Sequence, residues 1–571
     1  MNRRQFSSLF LTAGALLAAR RADAGANTVS SSDSLAARKK KMIAFHIDMR
    51  MPHYRSDYLK KWIGHLARHG YNTVVWEVTD GVTWETCPGV SPPSALPKAE
   101  FRQVLAESRK REIEPVPLLA TLGHAEYVLK HTRYAPLRDD PQSDYQYCPL
   151  RPDVLSFLHK WMLEYLDLFG DVKYFHIACD EARLPIVGSG AQGLLQGKTP
   201  GQVYAEHVNA VSEPLRKRGI TPIIWADMAL ADHSVLELLS HDVMLFDWRY
   251  DLTRGSGKVV IWGKNGGLKT KAELTKEDIS QYGKYLFPKG DAPGVQPETF
   301  YTADFLADKG YRVVTCPASK CAGDTVFTPR TELHLNNTYD QIQKGMAPNL
   351  SGSMLVSWSH HMHPWELQLP SIDIPGFLYA NPAASLDDYR TYFVKERFGI
   401  EDASFWKASE LLSGSCLFTD TSSLGYGMDI EPVAPNWIRD ILGRLKEQSK
   451  LTGEIERCRL RSREYQDGLE LFETLERRAT KGKENMGLWK LAARNLINRA
   501  QAAELLLVQQ EGELSGDPLR AEARQVLREM RRLRQRTDAM YAQMIRQPRR
   551  DLVLYYIYDA VEKAVADLAP A

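Results

Sequence analysis

Two neighbouring carboxylates are the strongest candidates for chemistry in this sequence. Asp180 and Glu181 directly follow a short apolar, β-rich run that ends at Cys179. Side chains alternate along a strand, so two neighbours point into one site only where the strand ends and the chain bends. Carboxylates held close together raise the pKa of one of them, and a carboxyl group with a raised pKa suits a general acid. The alternative is an acidic pair that opens the helix after the strand.

Residues suited to binding sugars follow most of the other predicted strands. They are carboxylates, arginines, histidines and aromatic residues, namely His46, Asp48, Arg50, Glu77, Asp80, His124, Trp225, Asp227, Asp247, Trp248, Arg249, Tyr250, Trp358 and Glu366. Carboxylates that converge in a polar pocket suit sugar hydroxyls and proton transfer, and tryptophan faces suit stacking on a pyranose ring. This combination predicts a carbohydrate-binding site.

The elements that must position these residues alternate between short β-rich runs and amphipathic helical stretches. Eight such units predict an α/β fold, a (β/α)8 TIM barrel, whose active residues come from the C-terminal ends of the strands. An open, doubly wound sheet is the alternative, which the number of units and the absence of a Gly-rich phosphate loop disfavour. The predicted strands are 42–47, 72–78, 113–119, 172–179, 221–225, 243–246, 312–315 and 353–358, and the helical stretches between them include 58–69, 98–111, 153–169, 201–217 and 298–309.

Two further regions differ from this alternating pattern. The stretch from Arg254 to Pro293, after the sixth strand, is long and predicts a small hairpin inserted at the barrel mouth. From about Asp387 onward the strand pattern ends, and apolar residues recur at helical spacing. Long amphipathic helices are predicted over 437–474, 485–510 and 518–545. We therefore predict a barrel over 42–385 and an all-α helical domain over 386–571.

The N-terminal residues are typical of an export signal. Arg3 and Arg4 precede a short apolar run, Leu9 to Ala19, and Ala22-Asp23-Ala24 offers a cleavage site. The paired arginines resemble a twin-arginine signal. We therefore expect a signal peptide over 1–25, a disordered linker over 26–41 and a periplasmic or secreted protein without an integral membrane segment. The alternative is an uncleaved anchor.

Composition excludes other classes of function. The 571 residues are 44% hydrophobic and 25% charged, with a net charge of +2. A nucleic-acid partner would need a strong basic bias, so none is expected. Seven cysteines are scattered without a C-x-x-C pair, which favours neither a zinc site nor a disulfide framework.

Several motifs resemble one known family. Residues 176–181 read H-I-A-C-D-E and resemble the H-I-G-x-D-E signature of glycoside hydrolase family 20, the β-N-acetylhexosaminidases. Further stretches, in the same chain order, resemble the hexosaminidase D branch of that family. These stretches are 46–50, 117–124, 128–132, 221–228, 357–358 and 366–370. The resemblance covers about residues 42–380 and does not extend to the helical region.

This resemblance implies an exo-acting enzyme that releases terminal GlcNAc or GalNAc by a retaining, substrate-assisted mechanism. Glu181 would be the general acid and later the base, and Asp180 would orient the acetamide group of the substrate. No cofactor and no metal are implied. The residues expected to bind substrate are Trp225, Trp248 and Trp358 around the acetamide and sugar face, Tyr250 (or Trp248) at the acetamide oxygen, Arg50, Asp80 and Glu366 at the hydroxyls, and His124, which would tie its loop to the site.

The sequence also departs from the family. Ala178 stands where the signature commonly has glycine, and Arg50 where the hexosaminidase D branch often has lysine. Neither residue decides between GlcNAc and GalNAc. The histidines at 360, 361 and 363 suggest a metal site, but no suitable fourth ligand stands near them.

Two other functions stay open at this point. One is a non-catalytic glycan-binding protein on a degenerate barrel, which would have lost one of the two carboxylates. The other is a barrel hydrolase that uses two distant carboxylates, such as Glu181 with Glu366, and cleaves glycosides without an acetamido group. The helical domain could also support a homo-oligomer.

Overall fold

The computed structural model describes residues 41–183, 197–263, 266–359, 361–420 and 436–569. The predicted signal peptide lies outside the described residues, as does the predicted linker up to residue 40. From Lys41 onward the chain forms one compact unit.

Eight parallel strands close into a barrel. Each of these strands pairs with the next one along the chain. The last of them, β11 (Gly352–Ser357), pairs back onto the first, β1 (Met42–Asp48), with Met42 opposite Gly352. This closure confirms the predicted TIM barrel and excludes the open sheet. Every residue of β1 and β11 is buried, as expected for strands covered on both faces. The barrel strands are β1 Met42–Asp48, β2 Thr73–Glu77, β3 Glu114–Leu118, β4 Tyr174–His176, β5 Thr221–Trp225, β6 Met244–Trp248, β9 Arg312–Cys316 and β11 Gly352–Ser357.

Helices cover the outside of the barrel between its strands. In α1, Leu59, Trp62, Ile63 and Leu66 form one buried stripe at helical spacing. Helix α5 begins with a capping box between Thr199 and Gln202. These helices are α1 Ser56–Arg68, α2 Lys98–Lys110, α3 Glu126–Leu129, α4 Pro152–Phe169, α5 Pro200–Arg216, α6 Asp227–Ala231, α7 Ser234–Leu238, α8 Lys276–Leu286, α9 Tyr301–Asp308 and α10 Thr331–Gly345.

The predicted hairpin after β6 is present. Strands β7 (Lys258–Ile261) and β8 (Gly267–Thr270) pair antiparallel. The Tyr301 hydroxyl donates to the Val260 carbonyl at 3.1 Å and fixes the hairpin to α9. The sequence did not predict β10 (Ala318–Lys320), which pairs with the end of β11, because three residues are too few to show a pattern.

Helices make up the chain after β11. The single helix predicted over 437–474 is in fact two, because Ser449 adopts a left-handed backbone with φ of +53° between them. Among the described residues, no helix is both long enough and apolar enough to cross a membrane. The helices are α11 Leu369–Ile372, α12 Ile374–Ala380, α13 Leu386–Phe398, α14 Ser404–Leu411, α15 Trp437–Glu447, α16 Leu451–Arg478, α17 Lys483–Glu511, α18 Gly516–Tyr541, α19 Arg549–Leu554 and α20 Ala560–Asp567, with a π-helical turn at Tyr555–Asp559.

The end of α18 docks on the loop after β1. The Arg55 amide donates to the Met544 carbonyl, and the Arg546 amide donates to the His53 carbonyl, each at 2.8 Å. The Tyr541 hydroxyl donates to the Met362 carbonyl at 2.9 Å in the loop after β11. The C-terminal helices therefore pack against loops at the end of the barrel where an active site is expected. The boundary between residues 385 and 386 stays a prediction.

Candidate active site

A cavity opens at the C-terminal ends of the barrel strands. Eight of the ten residues predicted from the sequence line it, namely Arg50, His124, Asp180, Glu181, Trp225, Trp248, Tyr250 and Trp358. The remaining lining side chains include Asp48, Glu77, Ala178, Cys321 and Ser359. The structure thus brings the predicted groups together, while the role of each side chain stays a prediction.

The backbone after β4 bends sharply and turns both carboxylates into this cavity. Ala178, Cys179 and Glu181 have φ angles of +55°, +66° and +47°, in the left-handed region that residues with a side chain rarely adopt. Three such residues in one short segment concentrate backbone strain at the carboxylate pair. Glycine adopts this conformation more readily, which gives a physical reason why the family 20 signature commonly has glycine at the position of Ala178.

His124 joins the two carboxylates. Its Nε2 lies 3.3 Å from Asp180 Oδ2 and 3.3 Å from Glu181 Oε2. Burial alone would lower the pKa of His124, but the charge of Asp180 and hydrogen bonds to both carboxylates outweigh burial and raise it to about 10. The hydrogen bond from His124 in turn lowers the pKa of Glu181. The Tyr145 hydroxyl donates to the backbone carbonyl of Glu181 at 3.0 Å.

Asp227, two residues after the end of β5, contacts the backbone of the acid pair. Its Oδ2 accepts the backbone N–H of Glu181 at 2.8 Å and so holds the strained turn. Burial, together with the charge of Asp180, raises the pKa of Asp227 to about 7. Asp227 is part of the 221–228 motif, but its spacing in the sequence does not show that it contacts Glu181. An aspartate that merely begins a helix would have the same spacing.

A second charged group lies where β1 and β2 end. Glu77 accepts from Arg50 Nη2 at 2.7 Å and lies 3.0 Å from His46 Nε2. Burial alone would raise the pKa of Glu77, but the charge of Arg50 and the hydrogen bond from His46 outweigh burial and lower it to about 2. Asp48 accepts the Arg50 and Ser359 backbone N–H groups at 2.8 and 2.9 Å. Glu77 and Asp48 thus line the cavity, whereas the sequence prediction had named Asp80.

Aromatic side chains form the remaining wall. The rings of Trp225 and Trp358 lie 5.9 Å apart, and Trp248 stacks on Tyr250 at 5.1 Å with 22° between the planes. Trp225 is buried, whereas the other three are partly exposed to the cavity. This wall suits the apolar face and the acetamide methyl group of an N-acetylated sugar.

Two curated proteins are similar to this chain in sequence. Human hexosaminidase D is 25% identical over 283 residues, which are 47% of this chain and 50% of the relative. The Bos taurus protein of the same name is 28% identical over 138 residues, or 24% of this chain and 40% of the relative. Over these stretches the chain is similar to hexosaminidase D. It spans about half the length, or less, of these curated relatives, and no protein-family model matches it.

Solved structures of similar proteins include two hexosaminidases. The β-N-acetylhexosaminidase from Bacteroides fragilis has a TM-score of 0.45 and 14% identity, over 68% of this chain and 74% of that one. The Streptomyces plicatus N-acetyl-β-hexosaminidase has a TM-score of 0.43 and 16% identity, over 62% of this chain and 67% of that one.

Asp80 was predicted to bind substrate, but it lies outside the cavity. Thr79 has a φ of +42°, so the chain turns after β2 and carries Asp80 away from the barrel axis. Asp80 Oδ2 accepts from Arg549 Nη2 at 2.8 Å, and His53 Nε2 lies 3.2 Å from Asp80 Oδ1. Asp80 therefore joins the barrel to the helical region.

Glu366 also lies outside the cavity, contrary to the sequence prediction. It sits in a 3₁₀ turn, where its neighbour Trp365 takes the buried place beside α1. Glu366 instead accepts from the Tyr58 hydroxyl at 2.9 Å and from Lys61 Nζ at 3.0 Å, on the outer side of α1. Glu366 is therefore not the partner of Glu181 in the alternative with two distant carboxylates, because it does not line the cavity that holds Glu181.

The two described histidines after β11, His361 and His363, do not line the cavity either. His360 lies outside the described residues. His363 Nε2 lies 3.6 Å from Asp324 Oδ2, a buried carboxylate that His334 Nε2 approaches at 2.7 Å on its other oxygen. His361 is buried beside His363, with 6.3 Å between the ring centres. The described histidines therefore belong to a buried polar cluster around Asp324.

Proposed function

We propose that this protein is an exo-acting β-N-acetylhexosaminidase that works by a retaining, substrate-assisted mechanism. The observation that carries the proposal is the placement of Asp180 and Glu181 side by side in a cavity walled by tryptophans. Homology to hexosaminidase D supports the same activity. A mere binding protein would have no need to hold a strained acid pair around a buried histidine.

The two carboxylates divide the work of the first step. Glu181, whose side chain is 55% exposed, can reach the glycosidic oxygen and give it a proton as the bond to the anomeric carbon breaks. The acetamide oxygen of the substrate forms the new bond to that carbon and gives an oxazolinium ion. Asp180, which is 11% exposed, accepts the acetamide N–H and stabilises the developing positive charge. In the second step Glu181 takes a proton from water, which opens the oxazolinium ion with net retention.

A terminal sugar fits the remaining groups of the cavity. The buried Arg50–Glu77 pair and Asp48 offer donors and acceptors to the sugar hydroxyls. Trp225 and Trp358 enclose the side where the acetamide methyl group would lie. These contacts support binding of a single non-reducing end, with GlcNAc and GalNAc both accommodated as candidates.

Release of nitrophenol from 4-nitrophenyl β-glycosides tests the proposal directly. We expect cleavage of the GlcNAc or GalNAc glycoside and no cleavage of the glucoside, because glucose lacks the acetamide that forms the new bond. Cleavage of the glucoside at a similar rate would contradict the substrate-assisted mechanism. Tight binding of the N-acetylated sugars without cleavage would favour the glycan-binding alternative.

The pKa values predict an acid pH optimum. In the free protein His124 lowers the pKa of Glu181, and a general acid must carry its proton when substrate binds. We therefore expect kcat/KM to fall as the pH rises through the pKa of Glu181, with the optimum on the acid side of neutrality. His124→Gln removes the cation, so the pKa of Glu181 rises and the basic limb of the profile moves to higher pH.

Tyr145→Phe is the matched control for His124→Gln. Tyr145 contacts His124 and the backbone carbonyl of Glu181, but it carries no charge at these pH values. We expect this variant to lose activity without moving the basic limb. An unchanged limb in His124→Gln would show that another group is the acid. Asp180 and Arg50 also face His124 and remain in both variants.

Export of the protein is a further proposal, which rests on the paired arginines and the apolar run near the N-terminus. A periplasmic location would give the enzyme access to amino-sugar polymers and fragments outside the cytoplasm.

A further inference from the structure

Two histidines and one aspartate form a separate cluster on the outside of the barrel. His65 lies in the last turn of α1, and His69 follows the end of that helix. Residues four apart share one face of a helix, so both imidazoles point the same way. Asp373 lies between α11 and α12, in the segment that follows the last barrel strand. The cluster therefore joins the first and last β/α units of the barrel, where the barrel closes.

The ligand atoms of these residues are close together. His65 Nε2 lies 2.8 Å and His69 Nδ1 lies 3.3 Å from Asp373 Oδ1, and one such atom from each residue lies within 4.8 Å of the others. Within the described ranges, no other set of three potential metal-ligating side chains meets this spacing. Tetrahedral zinc, with bonds of about 2.0–2.2 Å, holds its ligand atoms roughly 3.4 Å apart. Changes of at most about 1.4 Å in these separations would bring the three atoms around one ion.

The surroundings orient the carboxylate and leave access for an ion. Asp373 is buried, and Arg397 Nη2 donates to its second oxygen, Oδ2, so Oδ1 is the atom turned toward the histidines. Partners of this kind fix the direction of a ligating carboxylate in metal sites. The His65 and His69 side chains are 12% and 22% exposed, which leaves room for water as a fourth ligand. The two rings are stacked with centres 4.3 Å apart.

We propose that His65, His69 and Asp373 bind one divalent transition-metal ion of the zinc type and clamp α1 to the segment around α12. Two imidazoles and one carboxylate suit Zn²⁺, Ni²⁺ or Cu²⁺ rather than Mg²⁺ or Ca²⁺, which prefer oxygen ligands. The ion would replace the protons now shared between the imidazoles and Asp373 Oδ1. It would act on stability at the closure of the barrel, far from the chemistry at Glu181.

Titration of the full-length protein, free of tag histidines and first dialysed against a chelator, tests this site. We expect calorimetry with Zn²⁺ to show one ion bound per chain, and Co²⁺ to give the visible absorption of a low-symmetry site. His65→Gln and His69→Gln should each weaken binding by about 100-fold or more, because each removes one of three protein ligands. The exposed His241, which lies elsewhere, supplies the control His241→Gln, which should bind as the wild type does.

Thermal unfolding gives a second measurement. Zn²⁺ should raise the midpoint of the wild type and of His241→Gln, but not that of His69→Gln, because only an ion bound to the folded state stabilises it. Hydrolysis of the N-acetylglycosides should be the same in all of these variants, which separates this proposal from the proposed activity. Two results would overturn the proposal: no stoichiometric Zn²⁺ binding by the wild type, or binding by His65→Gln and His69→Gln as tight as that of the wild type. The cluster would then be a hydrogen-bonded His–Asp–Arg network without a metal ion.

Discussion

Glu181→Gln is expected to lower kcat about 10²- to 10⁴-fold toward substrates with poor leaving groups, because the amide cannot give a proton to the glycosidic oxygen. The loss should shrink with a 2,4-dinitrophenyl glycoside, whose leaving group departs without protonation. Measurement of kcat for the dinitrophenyl glycoside and for a disaccharide, with both proteins, gives the two ratios directly. Glutamine keeps the size of the side chain and can still accept from His124.

Asp180→Asn should show a different pattern from the same assay. Asp180 is expected to stabilise the acetamide as it becomes the nucleophile, and that step is needed whatever the leaving group. We therefore expect a loss of about 10²- to 10³-fold with both substrates. Equal losses across the two leaving groups in Glu181→Gln, or a loss limited to the disaccharide in Asp180→Asn, would mean that the two roles are reversed.

Glu366→Gln is the matched control for both variants. It makes the same Glu-to-Gln change in a carboxylate that the sequence pattern had placed in the site and the structure places beside Tyr58 and Lys61. Its kcat and KM should equal those of the wild type. A tenfold loss in this variant would restore the mechanism with two distant carboxylates.

The sequence predicted the barrel well because parallel strands covered on both faces are apolar along their whole length. Each of the eight predicted runs overlaps a barrel strand, and residues at or after the ends of the strands meet at one end of the barrel. The direction of individual side chains was harder to predict. Glu77 is the last residue of β2, and Asp80 comes three positions later, after Thr79 with its positive φ. Glu77 faces the cavity and Asp80 does not.

Contacts between distant parts of the chain could not be predicted at all. Arg549 meets Asp80 across 469 positions, and Asp373 meets His65 across 308. In the sequence, Arg549 is one basic residue beyond the last predicted helix, 518–545, and no pattern around it indicates a partner. For Glu366 the sequence predicted a contact that the structure does not show. The prediction placed this carboxylate in the cavity because it follows a strand, but it lies in a 3₁₀ turn beside α1.

Asp80→Asn is expected to destabilise the protein by about 3 kcal/mol while KM stays unchanged, because it leaves Arg549 buried without its counter-charge. The two side chains are each 8% exposed. Burial alone would raise the pKa of Asp80, but its interactions with His53 and Arg549 outweigh burial and lower it. The stability from this group is thus fully present above the ordinary pKa of an aspartate, and it is lost as the pH falls through the lowered value.

Denaturation by urea at neutral pH, followed beside the kinetics, checks this expectation. The double variant Asp80→Asn/Arg549→Gln should recover part of the loss, because it removes the isolated charge as well. If Asp80 bound the sugar, as the sequence pattern suggested, the single variant would instead raise KM with little effect on stability. An additive double variant would show that Asp80 and Arg549 do not stabilise each other, and that other contacts, such as those of Arg546 and Met544, hold the helical region against the barrel.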